Sequence, residues 1–522
     1  MASDSLARAE VRQLPGAFGD PFRAIEAIPG LTPVLTGLPY FYVRGAPPAN
    51  VGYYFDGVRV PYLFHFGLGP GVIHPALIAK TDLHRGGYPA ALGRFTGGIV
   101  EATAMPPMAR FHGEANLRLI DAGALAEAPF ANGKGAALVA GRYSYAAALF
   151  NLLSSDTTLD YRDYQARVSY ALSERDTLSV LGFGAYDFAA QRQTIDPSTQ
   201  PIALGPGASH RPRDVSRVLF ASEFHRGDLR WDHELSSGGH LRAAATIGFD
   251  RTRLDARRAA TDLMYGARFE LSQPISKEAL VRVGADVTID RYAADALPAF
   301  ADDDDVVRRQ RSIFVSRADV AAGARADMVL TMLPRMEVVP GIRIDGYGSG
   351  DVRALAVDPR LAMRIRVSDR VRIIHAYGLA SQPPSTPIAL PAVTIARLAG
   401  GLQRAIQTSA GVEADLPQDF TATATVFQNA FLGLNDALGT AQMELIDVER
   451  SDTLLAKSNG SAFGLELGVR RKLTRRLAGI ASYTLSRATR TANGERFVSS
   501  YDRPHVFTMA LTVDLGKGWR TG

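Results

Sequence analysis

Histidines and aspartates are the residue types in this chain that could bind a metal ion, and their spacing argues against such a site. His65, His74 and His84 are scattered without the spacing of metal ligands, so ordinary hydrogen-bonded or exposed imidazoles are expected. The run Asp302–Asp305 offers oxygen ligands, but it lacks the spaced acids and the glycine of a defined calcium loop. We therefore predict no metal site and expect the acidic run to lie in a solvated loop.

Catalytic motifs are also missing. Gly205–Gly207 and Gly400–Gly401 have the composition of turns, and neither follows a strand and opens a helix as a phosphate-binding loop does. The sequence contains no serine elbow and no zinc-binding HExxH pattern. It contains no cysteine, which excludes thiolate nucleophiles, thiolate metal sites and iron–sulfur clusters. We predict that the protein is not an enzyme and has no cofactor.

Length and composition exclude further classes. A chain of 522 residues is too long for one ordinary core, so several domains or one very large β-domain are expected. The net charge of +5 is small for this length and does not concentrate in a basic stripe, which argues against nucleic-acid binding. No window contains the ~20 consecutive apolar residues of a membrane-spanning helix.

The elements that must position any functional residue are β-strands. From about residue 111 onward, apolar and polar residues alternate with period two, which is typical of strands with one apolar face. Clear examples are the segments 281–290, 463–470 and 507–515, and similar stretches occupy 164–172, 241–249, 361–367 and 420–426.

Two architectures produce this alternation. In a soluble sandwich or propeller the apolar face is the core, whereas in a membrane barrel it faces lipid. The alternating segments run about ten residues or more, as a membrane barrel requires, while soluble strands have a mode of about five or six. Tight connections such as 173–176 and 236–239 alternate with longer ones at 191–214, 297–311 and 437–458. We predict a membrane β-barrel.

The segment before residue 108 has a different composition. It is rich in Gly and Pro, with short apolar runs and no sustained alternation, which indicates a compact α+β domain. The stretch Met105–Pro107 is the natural boundary. We predict one domain at 1–108 and the barrel at 109–522.

The first domain contains an ordered series of short motifs. They are Asp20–Ile25, Ile28–Leu31, Val43–Gly45, Tyr54–Val58, Leu83–Pro89 and Gly93–Val100. Each motif is short, but their order and spacing across 20–103 are specific, and they resemble the plug of TonB-dependent outer-membrane receptors. Tyr501–Phe507 is similar to a late barrel strand of the same family. The resemblance implies a mostly β fold, a transmembrane antiparallel barrel with an α+β plug inside its lumen.

The resemblance also implies how the plug is seated. In the family two plug arginines pair with two barrel glutamates, and the arginines match Arg44 and Arg85. One glutamate matches Glu466, whereas the other position is Ser409 and departs from the pattern. Glu413 lies four residues on and shares its strand face, so we expect it to substitute.

The resemblance further places two plug loops toward the outside, at 47–50 and 61–66. The second loop contains aromatic residues and one histidine, which suit stacking on an apolar or aromatic ligand. Packing of these aromatics against the barrel wall is the alternative interpretation. The residues predicted to contact ligand are Asn50, Tyr62, Phe64, His65 and Phe66.

The two ends of the sequence lack features expected of the family. We predict about seventeen barrel strands, against about 22 in plugged transporters. Neither an export signal nor a TonB box is found, and a new strand begins at 519–522. We expect that the chain is trimmed at both ends.

The function implied by the resemblance is uptake of a scarce nutrient such as a siderophore, a vitamin or a glycan. The partners would be the TonB energy-transducing complex, outer-membrane lipid and a small extracellular ligand. Two alternatives stay open: a surface receptor or adhesin without transport, and a soluble β-rich carbohydrate-binding protein.

Overall fold

The computed structural model describes residues 4–11, 14–17, 19–33, 40–66, 69–145, 157–195, 213–253, 259–294, 315–386, 390–394, 398, 400–435, 457–471, 477–517 and 519–522. Within those ranges, no helix has the length and apolar character needed to cross a membrane.

The N-terminal elements form a small α+β domain. Asp20 caps the second helix by accepting a hydrogen bond from the Phe22 N–H, and Pro21 begins that helix, where a missing N–H costs nothing. Five strands form one sheet in the order β1-β6-β7-β4-β5, while β2 and β3 form a separate pair. The elements are β1 (Asp4–Ala7), α1 (Arg8–Val11), α2 (Pro21–Ala24), β2 (Leu31–Pro33), β3 (Phe41–Val43), β4 (Gly52–Phe55), β5 (Val58–Arg59), β6 (Ile78–His84) and β7 (Ile99–Ala104).

The remaining strands form one closed antiparallel barrel in which β27 lies beside β8. Its strands are β8 (His112–Leu117), β9 (Asp121–Phe130), β10 (Gly135–Ser144), β11 (Thr157–Ala171), β12 (Asp176–Ile195), β13 (Arg213–Glu234), β14 (His240–Arg253), β15 (Ala259–Pro274), β16 (Ala279–Ala294), β17 (Arg317–Leu333), β18 (Met336–Ser349), β19 (Val352–Arg366), β20 (Val371–Gln382), β21 (Gln403–Leu416), β22 (Phe420–Asn435), β23 (Lys457–Arg471), β24 (Leu477–Ala492), β25 (Glu495–Val498), β26 (His505–Gly516) and β27 (Trp519–Thr521). The fold class predicted from the sequence is confirmed.

The strand count differs from the sequence-based prediction. The described barrel contains the twenty strands β8 to β27, more than the roughly seventeen that alternation alone indicated. Two of the additional strands are β25 and β27, with four and three residues. Segments this short cannot display a period of two, so alternation does not reveal them.

The apolar faces of the barrel strands point outward. On β26, Phe507, Met509 and Leu511 are 66%, 57% and 44% exposed, while the residues between them face the lumen. Strands β11 to β24 contain 12 to 22 residues. Short turns, such as 172–175 and 334–335, join them on one rim. The longer connection predicted at 297–311, which includes Asp302–Asp305, lies outside the described residues, as do most of 191–214 and 437–458.

The N-terminal domain fills the lumen, and we call it the plug. Aromatic rings cross the boundary between the two parts: Phe55 packs edge-on against Phe183, and Tyr62 packs edge-on against Phe224. Both plug residues belong to a buried apolar cluster that continues into the barrel wall. The plug therefore shares a core with the barrel.

Candidate functional site

A buried ion pair joins the plug to the barrel at Arg44 and Glu466. Arg44 lies in the turn after β3, and Glu466 faces inward from β23. The Arg44 Nε donates to Glu466 Oε1 at 2.8 Å and Nη2 donates to Oε2 at 2.7 Å. The side chains are only 4% and 1% exposed, and the guanidinium also lies 4.6 Å from the centre of the Phe427 ring. Bidentate geometry and mutual neutralisation offset the desolvation of both charges.

Arg85 shares the same carboxylate. Its guanidinium hydrogen-bonds to Glu466 and to Asp4, and it donates to the Pro29 carbonyl oxygen at 3.0 Å. Burial alone would lower the pKa of Arg85, but the charges of Asp4 and Glu466 outweigh it and raise the pKa. Arg44 and Arg85 therefore meet at one barrel glutamate.

The second carboxylate comes from the plug itself. Glu413 accepts a hydrogen bond from Arg372 Nε at 2.7 Å within the barrel wall. Among the described residues, it forms no hydrogen bond or ion pair with either plug arginine. Asp4 on β1 is the second acid bound to Arg85. Asp4 was not predicted from the sequence, because its pairing depends on β1 lying beside β6.

Gly30 provides the space for this cluster. Its φ is +81°, and a Cβ at this position would collide with the carboxylate of Glu466 and press on the Arg85 side chain. Glycine is thus required here both by backbone conformation and by close approach.

No family model and no curated protein sequence matches the chain. Solved structures do match. The siderophore receptor PirA from Acinetobacter baumannii has a TM-score of 0.71 at 12% identity, covering 99% of this chain and 84% of that one. The chain has the fold of siderophore receptors.

Two further receptor structures also match the fold of this chain. The alcaligin outer-membrane receptor FauA from Bordetella pertussis has a TM-score of 0.64 at 13% identity, with 99% of this chain and 85% of that chain covered. A mutant ferric enterobactin receptor from Pseudomonas aeruginosa, in complex with enterobactin, has a TM-score of 0.67 at 13% identity, with 99% and 92% covered. At these identities the likeness establishes the siderophore-receptor fold.

The aromatic plug loop is anchored to the barrel wall of this receptor fold by His65. The imidazole Nδ1 lies 3.0 Å from Asp187 Oδ2, and Nε2 lies 3.1 Å from Asp163 Oδ2. The Tyr62 hydroxyl donates to Asp187 at 2.9 Å, and the Phe66 N–H donates to the same carboxylate at 3.1 Å. These contacts form a second plug–barrel junction, on strands β11 and β12.

Electrostatics keep His65 charged. Burial disfavours the imidazolium, but Asp187 and Asp163 outweigh that penalty and raise the pKa of His65 to about 9. Arg142 Nε lies 2.9 Å from Asp163, so two cations and two carboxylates form the junction. Neither aspartate was singled out from the sequence, because each is one of many polar residues on an inward strand face.

The other residues predicted to contact ligand also have partners within the protein. Asn50 is fully buried, donates to Thr96 Oγ1 at 2.5 Å and accepts from Ser385 Oγ at 3.0 Å. Phe64 is buried beneath the Arg23 guanidinium, which lies 3.7 Å from the ring centre. Phe66 is partly buried. In this structure these residues join the plug to itself or to the barrel wall.

A cavity of about 430 Å³ lies between the plug and strands β13 to β18. The β4–β5 hairpin and the segment 91–95 form its plug side, and the connection after β20 also contributes. Its size is within the range of small-molecule sites. Within the described ranges, no group of three or more His, Cys, Asp or Glu residues could hold a metal ion.

Proposed function

We propose that this protein is a TonB-dependent outer-membrane receptor that imports a scarce nutrient such as a siderophore, a vitamin or a glycan. Residues 1–108 act as the plug, and residues 109–522 form the membrane barrel, whose outward apolar faces contact lipid. The protein acts by binding and transport rather than catalysis. The partners are the small extracellular ligand and the TonB complex.

The observation that carries the proposal is the closure of the lumen by charged junctions. Arg44 and Arg85 share the buried Glu466, and His65 lies between Asp163 and Asp187. Bidentate, buried ion pairs of this kind hold their partners in one geometry, and several of them must separate before the plug can move. An external source of energy would favour that separation. A pull from TonB, driven by the proton-motive force, would provide it.

The roles assigned to individual residues follow from this view. Arg44, Arg85 and Glu466 seat the plug, with Asp4 as the additional acid. We place the first contact with ligand on the outer side of the plug. The loop 61–66 and Asn50 would support this surface, while their buried polar atoms stay bonded within the protein and do not bind the ligand.

The test is expression in a Gram-negative host that lacks its own siderophore and cobalamin receptors, with and without TonB. We expect the protein in the outer-membrane fraction, with heat-modifiable migration on gels. A panel of ferric siderophores and cobalamin should include one compound whose uptake depends on both the protein and TonB. Absence from the outer membrane, or uptake that is unchanged without TonB, would contradict the proposal.

A further inference from the structure

Asp262 is a buried carboxylate that the plug-seating contacts do not use. It lies on β15, lines the lumen cavity and is 2% exposed. Its Oδ1 has no hydrogen-bond partner within the part of the chain that the structure describes. Buried polar groups are normally hydrogen-bonded, and an isolated buried carboxylate is costly. The position of Asp262 therefore calls for a group that donates to it.

The neighbours of Asp262 are also acidic, which strengthens the requirement for a group that donates to its carboxylate. Asp250 lies directly opposite on β14, and like charges directly opposite across a sheet are destabilising. Asp290, on the next strand, is a third acid near the same part of the cavity wall. A cation at Asp262 would offset the repulsion between these carboxylates.

The nearby arginines are already engaged. Arg226 donates to both oxygens of Asp250, at 2.6 and 3.0 Å, and Arg59 donates to Asp290 at 2.8 Å. Every arginine lining the cavity has a carboxylate within ion-pair distance; these are Arg59, Arg94, Arg226, Arg268, Arg325 and Arg343. In the described cavity wall, Asp262 is the buried acid left without a cationic partner.

We propose that Asp262 binds a positively charged N–H donor, such as a primary ammonium group, on the solute that passes through this receptor. The inference rests on the proposed transport function and adds the chemical class of the cargo. An ammonium group would donate to Asp262 and screen it from Asp250. An organic cation fits better than a metal ion, because the described acids do not form a set of metal ligands.

The test uses the full chain in detergent micelles and two probes of equal length, 1,4-diaminobutane and its neutral analogue 1,4-butanediol. We expect calorimetry to detect binding of the diamine and none of the diol. Asp262→Asn should weaken diamine binding by about tenfold or more. This isosteric variant also relieves repulsion with Asp250, so it should fold, which heat-modifiable migration checks. Asp319→Asn is the matched control, because Asp319 lines the same cavity but pairs with Arg317.

Two results would overturn the inference. Equal diamine binding by the wild type and by Asp262→Asn would place the amine elsewhere. No diamine binding by the wild type would mean that Asp262 takes up a proton instead of a cation. Both results are independent of TonB, because binding is measured on purified protein. Failure of the transport function would instead appear as TonB-independent or absent uptake in cells.

Discussion

Arg44 and Glu466 are separated by 422 positions in the sequence and form a bidentate ion pair between plug and barrel. The pair links the turn after β3 to the middle of β23, and Arg85 binds the same carboxylate. One barrel side chain thus holds two separate segments of the plug.

Removal of the Glu466 charge should loosen the plug. Glu466→Gln leaves two buried arginines without a carboxylate from the barrel, at a cost on the order of 3–5 kcal/mol. We expect increased permeability of the outer membrane to large antibiotics, and Arg44→Ala should act in the same direction. Glu413→Gln is the matched control, because Glu413 pairs with Arg372 in the barrel wall. Equal permeability in all three variants would contradict the seating role.

Gly30→Ala should mimic the loss of Glu466, because a Cβ there displaces the carboxylate. Gly16→Ala is the control for backbone strain alone. Gly16 has a similar φ of +78°, but a Cβ added there would meet no atom within 4 Å. Both alanines carry the left-handed penalty of about 1 kcal/mol, so only Gly30→Ala should raise antibiotic permeability. Indistinguishable permeability of the two variants would argue against close packing at Glu466.

The His65 junction should weaken at alkaline pH. The pKa of His65 is raised from 6.5 to about 9, so its stabilising effect is complete below 6.5 and is lost as the pH rises through 9. This shift corresponds to about 3 kcal/mol. Hydrogen exchange of the segment 60–66, corrected for intrinsic rates, should show protection falling between pH 7 and 10.

His65→Gln is the control for that pH dependence. The glutamine amide can donate a hydrogen bond to one aspartate, but it carries no charge at any pH. The exchange protection of the segment 60–66 in this variant should therefore be lower than in the wild type and independent of pH. A wild-type protein with the same protection at pH 7 and pH 10 would contradict a charged His65.

Substitutions on the outer face of β26 should depend on their depth in the membrane. Leu511→Arg should cost about 2–4 kcal/mol, whereas the same change near the rim should cost about 0–1 kcal/mol. Leu515 lies on the same face, next to the turn at residue 517, so Leu515→Arg is the matched control. Yields of heat-modifiable barrel should fall for Leu511→Arg alone. Equal yields would argue that this face does not contact lipid.

The sequence predicted the barrel because alternation is a local property of each strand. Residues 507–515 display it clearly, and their apolar side chains do point outward. Strands β25 and β27 were not predicted from the sequence, because three or four residues are too few to show an alternation with period two.

The candidate site was predicted only in part. Arg44, Arg85 and Glu466 were singled out because short ordered motifs resemble a known family, and the three side chains lie together in the structure. Asp4, Asp163 and Asp187 were not found, since their importance arises from pairing across distant segments. The aromatic loop was recognised by composition, but composition does not distinguish a ring that stacks on a ligand from one that packs on a wall.

In the proposed function, the N-terminal domain sits inside the barrel and must move for uptake. The most direct measurement is a disulfide between Ala90→Cys in the plug and Gly341→Cys on β18, since a Cβ at Gly341 would lie 3.4 Å from the Ala90 Cβ. The chain has no other cysteine, and this separation is close to that of natural disulfides. We predict that the oxidised protein contains the bond and that uptake stops until a reductant is added. Free thiols under oxidising conditions, or uptake that continues with the bond formed, would contradict the account.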